Sequence, residues 1–296
     1  MDRDDRFATR LESVEEVPEL FHRALREQLA PQEVIHLLVF NPAYTRPDAR
    51  SPATLLAVTD RRWLAVSEDE ELEDAEGRIT ATGCGFEDAL LVELTEILLF
   101  GQLKIDFLAQ GTAQAWAIEF NTVMDELFRE AAQFILRGIE GGPMVTAFSM
   151  PKADSLPDTW PLKLRNAVPN VLPADRQLLA AVQWQAVYGG FRRELAPAAA
   201  LLATKGELVL LSEERAWSRR SGEPKYGCVA TYFPLVRLAN FSFRQHGRFS
   251  VLELEMHASH GGETLQVLFP PEQERAIAQV VECALRQSSK HSRGSI

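Results

Sequence analysis

The chain has 296 residues with a formal net charge of -11 at pH 7, and 46% of the residues are hydrophobic and 25% charged. This composition excludes a largely disordered, collagen-like or polytopic membrane protein, and the length is sufficient for two ordinary domains. Residues 1–140 carry a charge of -15 and residues 141–296 carry +4, so any contact with nucleic-acid phosphates or anionic lipid falls to the second half.

The amino-terminal region has no features of a secretory signal. Residues 1–10 carry alternating charges and residues 11–20 contain four glutamates where an apolar segment would be needed. No window reaches the 18 apolar residues of a membrane span. Cys84, Cys228 and Cys283 are an odd, widely spaced set that does not suggest a disulfide framework. These observations predict a cytoplasmic protein.

In the first half the pattern predicts a helix, a series of short strands and a second helix. Apolar residues at helical spacing predict the first helix over Val17–Leu29, which Pro31 ends. Six segments then read as strands: Val34–Phe40, Ala53–Val58, Trp63–Val66, Leu90–Phe100, Leu103–Leu108 and Ala115–Phe120. An apolar stripe from Leu127 to Leu136 predicts an amphipathic helix at the end of this half.

The second half repeats this order after a segment rich in proline and glycine. Residues 141–160 read as a linker, because Pro and Gly at that density prevent continuous helix or sheet. The predicted strands are Leu178–Val187, Ala198–Ala203, Leu208–Leu211, Tyr226–Thr231, Leu235–Phe243, Phe249–Met256 and Thr264–Phe269. A stripe from Ala276 to Leu285 predicts the closing helix after Pro271, and residues 288–296 read as a disordered tail.

The chain compared with itself indicates an internal duplication. Four blocks align in the same order at shifts of 142 to 149 residues, and the shift changes only between blocks, as loop insertions would produce. The aligned residues include Leu56, Thr59, Ser67 and Glu68 with Leu201, Thr204, Ser212 and Glu213, and Gly83 and Cys84 with Gly227 and Cys228. We therefore predict two copies of one unit, residues 1–140 and 161–287.

Each predicted copy has about seven antiparallel strands followed by one amphipathic helix. This order resembles the pleckstrin-homology (PH-like) superfamily, and the early strand pairs Leu55–Val66 and Leu201–Leu211 resemble bacterial PH-like and GRAM-like domains. The resemblance implies an α+β, mainly antiparallel fold of two duplicated β-barrel or sandwich units, each closed by its carboxyl-terminal helix. It also implies binding or scaffolding rather than catalysis, although fold alone does not determine function.

The residue inventory contains no motif for catalysis, phosphate loops or a cofactor. Cys84 lies between two glycines, but Cys228 recurs at the corresponding position, so both are interpreted as small, partly buried strand residues. His257 and His260 with Glu255 and Glu263 resemble a metal site, yet their alternation with Leu254 and Met256 is typical of the wet face of a strand. We expect no catalytic residue, no metal and no cofactor.

Basic residues in loops of the second copy are the one candidate ligand site. They are Arg192, Arg193, Arg219 and Arg220, and solvated loops are the alternative interpretation. In PH-like domains the first of these loops often borders an anionic-headgroup site, although Glu194 follows Arg193 immediately and the family's denser basic pattern is missing. The acidic run Glu68–Glu76 offers these loops an opposite charge, which suggests that the two copies pack through it.

Three functions remain open from the sequence. The first is a non-enzymatic binding or scaffold protein that contacts a protein partner or itself, through strand edges, loops and aromatic residues such as Trp217 and Tyr226. The second is a peripheral membrane adaptor that binds anionic lipid through the basic loops of the second copy. The third is an enzyme with a cleft between the copies, for which no residue is nominated.

Overall fold

The computed structural model describes residues 7–45, 50–68, 79–144, 156–157, 159–172, 176–189, 194–214 and 226–291. The fold is α+β with antiparallel sheets, as predicted. The helices are α1 (Glu19–Gln28), α2 (Asp125–Glu140), α3 (Leu162–Val171) and α4 (Glu274–His291). Among the described residues, no helix combines the length and the apolar character needed to span a membrane.

Ten strands are described in the first half. They are β1 (Thr9–Arg10), β2 (Ile35–Asn41), β3 (Tyr44–Thr45), β4 (Arg50–Ser51), β5 (Thr54–Thr59), β6 (Arg62–Glu68), β7 (Ile79–Gly85), β8 (Ala89–Ile97), β9 (Phe100–Ala109) and β10 (Thr112–Asn121). Strands β1, β2, β5, β6 and β7 form a five-stranded sheet in that order, and β3 and β4 form a separate hairpin.

In the part of the second half that the structure describes there are nine strands. They are β11 (Ala180–Trp184), β12 (Val187–Tyr188), β13 (Glu194–Ala196), β14 (Ala199–Ala203), β15 (Glu207–Glu213), β16 (Cys228–Pro234), β17 (Leu238–His246), β18 (Phe249–Ala258) and β19 (Gly261–Phe269). Strands β17, β18 and β19 form a three-stranded sheet, and β12 and β13 form a hairpin.

A seven-stranded sheet joins the halves. Its order is β10-β9-β8-β16-β15-β14-β11, so that β8 of the first half pairs antiparallel with β16 of the second, from Val92 opposite Tyr232 to Glu96 opposite Cys228. Backbone hydrogen bonds therefore run continuously from one half of the chain into the other.

The two faces of this sheet are covered by different elements, because strand residues alternate between faces. On one face, Val92 and Ile105 join the core beneath α2, where the Phe120 and Phe128 rings stack with centroids 3.8 Å apart. On the other face, Leu91 and Phe233 pack with residues of β18, β19 and α4. Helix α1 covers the outer face of the five-stranded sheet through Phe21 and Leu25.

The structure differs from the predicted barrels and from several predicted bounds of strands and helices. The described strands do not close into barrels, since the three- and five-stranded sheets remain separate from the seven-stranded one in strand order. No strand segment was predicted over β7, although Cys84 within it was interpreted as a strand residue, because the sequence from Ile79 to Gly85 is rich in Thr and Gly and has only one large apolar residue. The predicted strand Leu178–Val187 divides into β11 and β12. Helix α4 continues to His291, four residues into the predicted tail.

Candidate functional site

The arginines selected from the sequence cannot be placed. Arg192, Arg193, Arg219 and Arg220 lie outside the described residues, and so do Trp217 and all of the acidic run after Glu68. The suggested pairing of acidic and basic loops therefore stays a prediction.

A groove runs along the seven-stranded sheet where the two halves meet, and we call it the junction groove. Its floor is one face of that sheet, because the lining residues alternate along each strand: Leu91 and Glu93 in β8, Lys104 and Asp106 in β9, Leu210 and Ser212 in β15, and Val229, Thr231 and Phe233 in β16. Its volume is about 510 Å³, which lies within the range of ligand-binding clefts.

One wall of the junction groove is the edge of β19. Four consecutive residues, Leu265 to Leu268, line the groove, and consecutive strand residues point to opposite faces, so the groove runs beside the strand edge rather than beneath one face. β19 pairs with β18 on its other side, and no described strand pairs with the edge that faces the groove. An unpaired strand edge presents backbone donors and acceptors that another strand can use.

The polar residues of the floor come from both halves and form one network. Thr231 donates its hydroxyl hydrogen to Glu93 Oε2 at 3.0 Å across the β8–β16 boundary. Lys104, which lies opposite Glu93 in the β8–β9 register, contacts both carboxylate oxygens of Asp106 at 2.9 and 3.0 Å. Burial would lower the pKa of the Lys104 ammonium, but Asp106, Glu93 and Glu263 outweigh it, so the pKa is raised and the charge is retained.

Among the residues that the structure describes, carboxylates outnumber cations in the junction groove. Glu93, Asp106, Glu213 and Glu214 line it together with a single described cation, Lys104. A carboxylate offers about four acceptor positions, and Glu214 uses one for the Tyr226 backbone N–H at 2.8 Å. Trp184 also lines the groove, is 2% exposed, and has an indole N–H without an acceptor among the described residues. The described lining of the groove is therefore suited to a ligand with positive charge.

A buried charged cluster lies on the opposite side of this junction, and we call it the junction cluster: Glu140, Arg176 and Glu207. Glu140 ends α2, Glu207 begins β15, and Arg176 contacts both carboxylates, with its Nε 3.8 Å from Glu207 Oε2. Glu207 is 0% exposed. Burial, and then the neighbouring Glu140, raise the pKa of Glu207 to about 7 although Arg176 opposes the shift.

A second set of contacts holds the halves together at the start of β8. Arg237 donates to the carbonyl oxygens of Phe86 at 2.7 Å and Ala89 at 3.1 Å. Nearby, the Ser259 hydroxyl donates to Asp88. These contacts fix the β16–β17 and β18–β19 turns against the first half, which positions β19 beside the groove.

The trio Asp88, Ser259 and His260 does not have the geometry of a hydrolytic triad. His260 Nδ1 lies 3.0 Å from Asp88 Oδ1 and 2.6 Å from Ser259 Oγ, so the same ring nitrogen meets both partners. A triad needs the acid on one ring nitrogen and the nucleophile on the other. The His260 side chain is also 67% exposed, and the trio is interpreted as a contact between the halves.

The two corresponding cysteines are partly buried strand residues, as predicted. Cys84 lies in β7 and Cys228 in β16. Burial raises the pKa of the Cys84 thiol to about 12 and that of Cys228 above its usual range, so both remain protonated at neutral pH and are poor nucleophiles. His257 is exposed on β18, and no group of three or more metal-binding side chains occurs among the described residues.

An apolar cavity of about 460 Å³ lies beside the β8–β9 turn. Phe7, Tyr44, Phe100 and Phe120 line it, together with the turn residue Leu98. Leu98 is 68% exposed and has a φ of 53°, a conformation that leucine adopts at a cost.

Sequence reasoning missed the junction groove although part of its signal is visible. Lys104 and Asp106 alternate with Leu103, Ile105 and Phe107 in a strand that lies in the middle of a sheet. Polar residues on the inner side of such a strand indicate a face that is not fully covered. The pairing of β8 with β16, which completes the floor, has no comparable signal in the sequence.

Comparison with protein-family models and with curated proteins found no match for this chain. The functional assignment therefore rests on the geometry of the chain itself.

Proposed function

We propose that this chain is a non-enzymatic recognition protein built from two PH-like units, and that its junction groove binds an extended, basic segment of a protein partner. The observation that carries the proposal is an edge of β19 that no described strand pairs with, beside a groove whose described lining has four carboxylates and one lysine.

The order of elements supports the proposed duplication. In the first half, β2, β5, β6 and β7 are followed by the meander β8–β10 and by α2. In the second half, β11, β14, β15 and β16 are followed by the meander β17–β19 and by α4. Each half also has a small hairpin at the same place, β3–β4 after the first strand of the four and β12–β13 in the corresponding position.

Matched residues make matched contacts, which further supports the duplication. Thr59 and Thr204, aligned in the sequence, are both fully buried. The Thr59 hydroxyl accepts the N–H groups of Arg61 and Arg62 at 3.1 and 3.0 Å, and it contacts Glu33 at 2.7 Å. The Thr204 hydroxyl accepts the N–H groups two and three residues later at 3.2 and 3.1 Å, and it contacts the Glu207 carboxylate at 2.7 Å.

Strand addition explains how the groove would hold its ligand. The four residues of β19 that line the groove would allow an added strand to pair along roughly 13 Å. Main-chain hydrogen bonds to the strand edge supply affinity, and side chains of alternate ligand residues enter the groove and supply specificity.

Charge complementarity defines the chemistry of the partner. A lysine or arginine of the bound segment would meet Glu93 and Asp106 on the floor, with Glu213 and Glu214 at one end. Charge-assisted hydrogen bonds in a partly buried site are worth about 1.5–3 kcal/mol each. An acidic segment would meet mainly repulsion.

Selection from a random peptide library displayed on phage tests the proposal. The full chain is compared with Thr231→Trp, which fills the groove, and with Val236→Trp, a matched change at an exposed turn residue outside it. We expect wild type and Val236→Trp to enrich the same peptides, rich in lysine or arginine, and Thr231→Trp to lose them. No enrichment by the wild type, or equal enrichment by Thr231→Trp, would contradict the proposal.

A double variant tests the charge contribution separately. Glu93→Gln combined with Asp106→Asn keeps the shape of the floor and removes two charges. The selected basic peptides should then bind roughly 10- to 100-fold more weakly. Unchanged affinity would place the cation contact elsewhere.

A further inference from the structure

The junction cluster has a counterpart in the first half with the charges exchanged. Glu33, before β2, pairs with Arg62, the first residue of β6. Arg176, before β11, contacts Glu207, the first residue of β15. Both pairs lie beside the matched threonines, so the two halves place one acidic and one basic residue at equivalent positions in opposite order.

The two positions differ in how well the carboxylate is satisfied. Arg62 donates to Glu33 through Nε and Nη2, both at 2.9 Å. In the second half, Arg176 Nε is 3.8 Å from Glu207, because the same guanidinium also contacts Glu140 from α2. Glu207 Oε2 and Glu140 Oε1 are buried and have no hydrogen-bond donor among the described residues. Two buried carboxylates that share one arginine cannot both ionise without cost.

Three titratable or charged residues of the neighbouring described elements lie near the cluster: Tyr232, Arg137 and Lys205. Tyr232 of β16 faces the cluster, but its hydroxyl donates to the Val171 carbonyl oxygen at 2.7 Å, and burial raises its pKa well above the usual range. Arg137 lies one turn before Glu140 on α2 and is 7% exposed. Lys205, in the β14–β15 turn, is exposed to solvent.

The cluster lies at a contact between the two halves. Glu140 is the last residue of α2, and a side chain at Gly206 would collide with its carboxylate. The Gly206 carbonyl oxygen also accepts the Leu235 N–H at 2.8 Å. Glu207 therefore lies beside the turn that meets the end of α2, and its strand β15 supplies Leu210 and Ser212 to the groove floor.

We propose that docking of the α2 end onto the β14–β15 turn is linked to uptake of one proton by the junction cluster, so that the contact between the halves loosens as the pH rises. This proton linkage does not depend on the proposed function of the junction groove. The raised pKa of Glu207, about 7, puts the change near neutral pH.

The sign and size of the effect follow from proton linkage. An undocked Glu207 would titrate near 4.5 and a docked one near 7. Between these values only the undocked form loses its proton, so the opening constant of the contact rises about tenfold per pH unit and levels off above pH 7.

Amide hydrogen exchange of the intact protein between pH 5 and pH 9, corrected for intrinsic rates, tests the proposal. The reporters are the Gly206 and Glu207 amides, which donate to Thr204. The Arg61 and Arg62 amides, which donate to Thr59, are the matched internal control. We expect protection at the second-half turn to fall about tenfold per unit up to pH 7, with no such fall at the first-half turn.

Two variants separate a proton effect from general loosening. Glu207→Gln should abolish the pH dependence at the Gly206 amide. Glu140→Gln should move it to lower pH, because the neighbouring negative charge is removed. Equal pH dependence at the two turns of the wild type, which needs no variant to fold, would overturn the proposal. So would an unchanged slope in Glu207→Gln. Peptide selection by the groove is independent of both results.

Discussion

Replacing Glu33 with glutamine should remove a pH-dependent part of the stability of the first half. The Glu33 side chain is 1% exposed and accepts hydrogen bonds from Arg62, from the Thr59 hydroxyl and from the Ala30 N–H. Burial alone would raise the pKa of this carboxyl. The bonds from Arg62, Ala30 and Thr59 outweigh burial and lower the pKa from 4.5 to about 2.

The magnitude follows from the difference between the folded and unfolded carboxyl. A shift from 4.5 to about 2, at about 1.4 kcal/mol per unit, corresponds to about 3 kcal/mol of stability. Because the folded pKa is the lower one, this stability is present above pH 4.5. It is lost as the pH falls towards 2.

Urea unfolding followed by circular dichroism at several pH values between 2 and 6 measures this term. The free energy of unfolding of the wild type should fall by about 3 kcal/mol more than that of Glu33→Gln over this range. Glu27→Gln, at an exposed position of α1, is the control and should behave as the wild type. Equal pH slopes for the wild type and Glu33→Gln would refute the reasoning.

Three further predictions concern other contacts. Arg237→Met should lower the free energy of unfolding by about 2 kcal/mol in urea titrations, because the carbonyl groups of Phe86 and Ala89 lose a charged donor; an unchanged value would mean that water replaces the guanidinium. Leu98→Asn should increase the free energy of unfolding by up to about 1 kcal/mol and so raise the midpoint of thermal unfolding, because asparagine tolerates the φ of 53° better than leucine. A lower midpoint would show that the leucine packs favourably. Cys84 should react with a thiol reagent at pH 8 much more slowly in the native protein than in urea, because burial raises its pKa to about 12; equal rates would contradict the described burial.

The sequence predicts the strands well where a short segment is rich in large apolar residues. Val34–Phe40 and Phe249–Met256 correspond to β2 and β18 to within one or two residues at each end. β7 was missed because a run such as Ile79 to Gly85 has no strong apolar period, and only its pairing with β6 makes it a strand. Local pattern indicates elements but does not record which edges meet.

The candidate site was less accessible to prediction for the same reason. Its floor depends on the pairing of β8 with β16, between residues more than a hundred positions apart, and strand edges carry no pattern that identifies a partner. Glu93 and Thr231 become neighbours only through this pairing. The two halves place their acidic and basic residues in opposite order, Glu33 with Arg62 and Arg176 with Glu207. The sequence comparison missed this correspondence, because it matched identical residues and not residues of opposite charge.

The account depends most on the open edge of β19, and amide exchange of that strand with a groove-selected basic peptide tests it most directly. Bound peptide should slow exchange at alternate β19 amides by at least about tenfold, because every second N–H points towards the added strand. It should leave β17 unchanged. Binding of the peptide with no added protection in β19 would contradict the account, and protection confined to the five-stranded sheet would place the ligand on the first half instead.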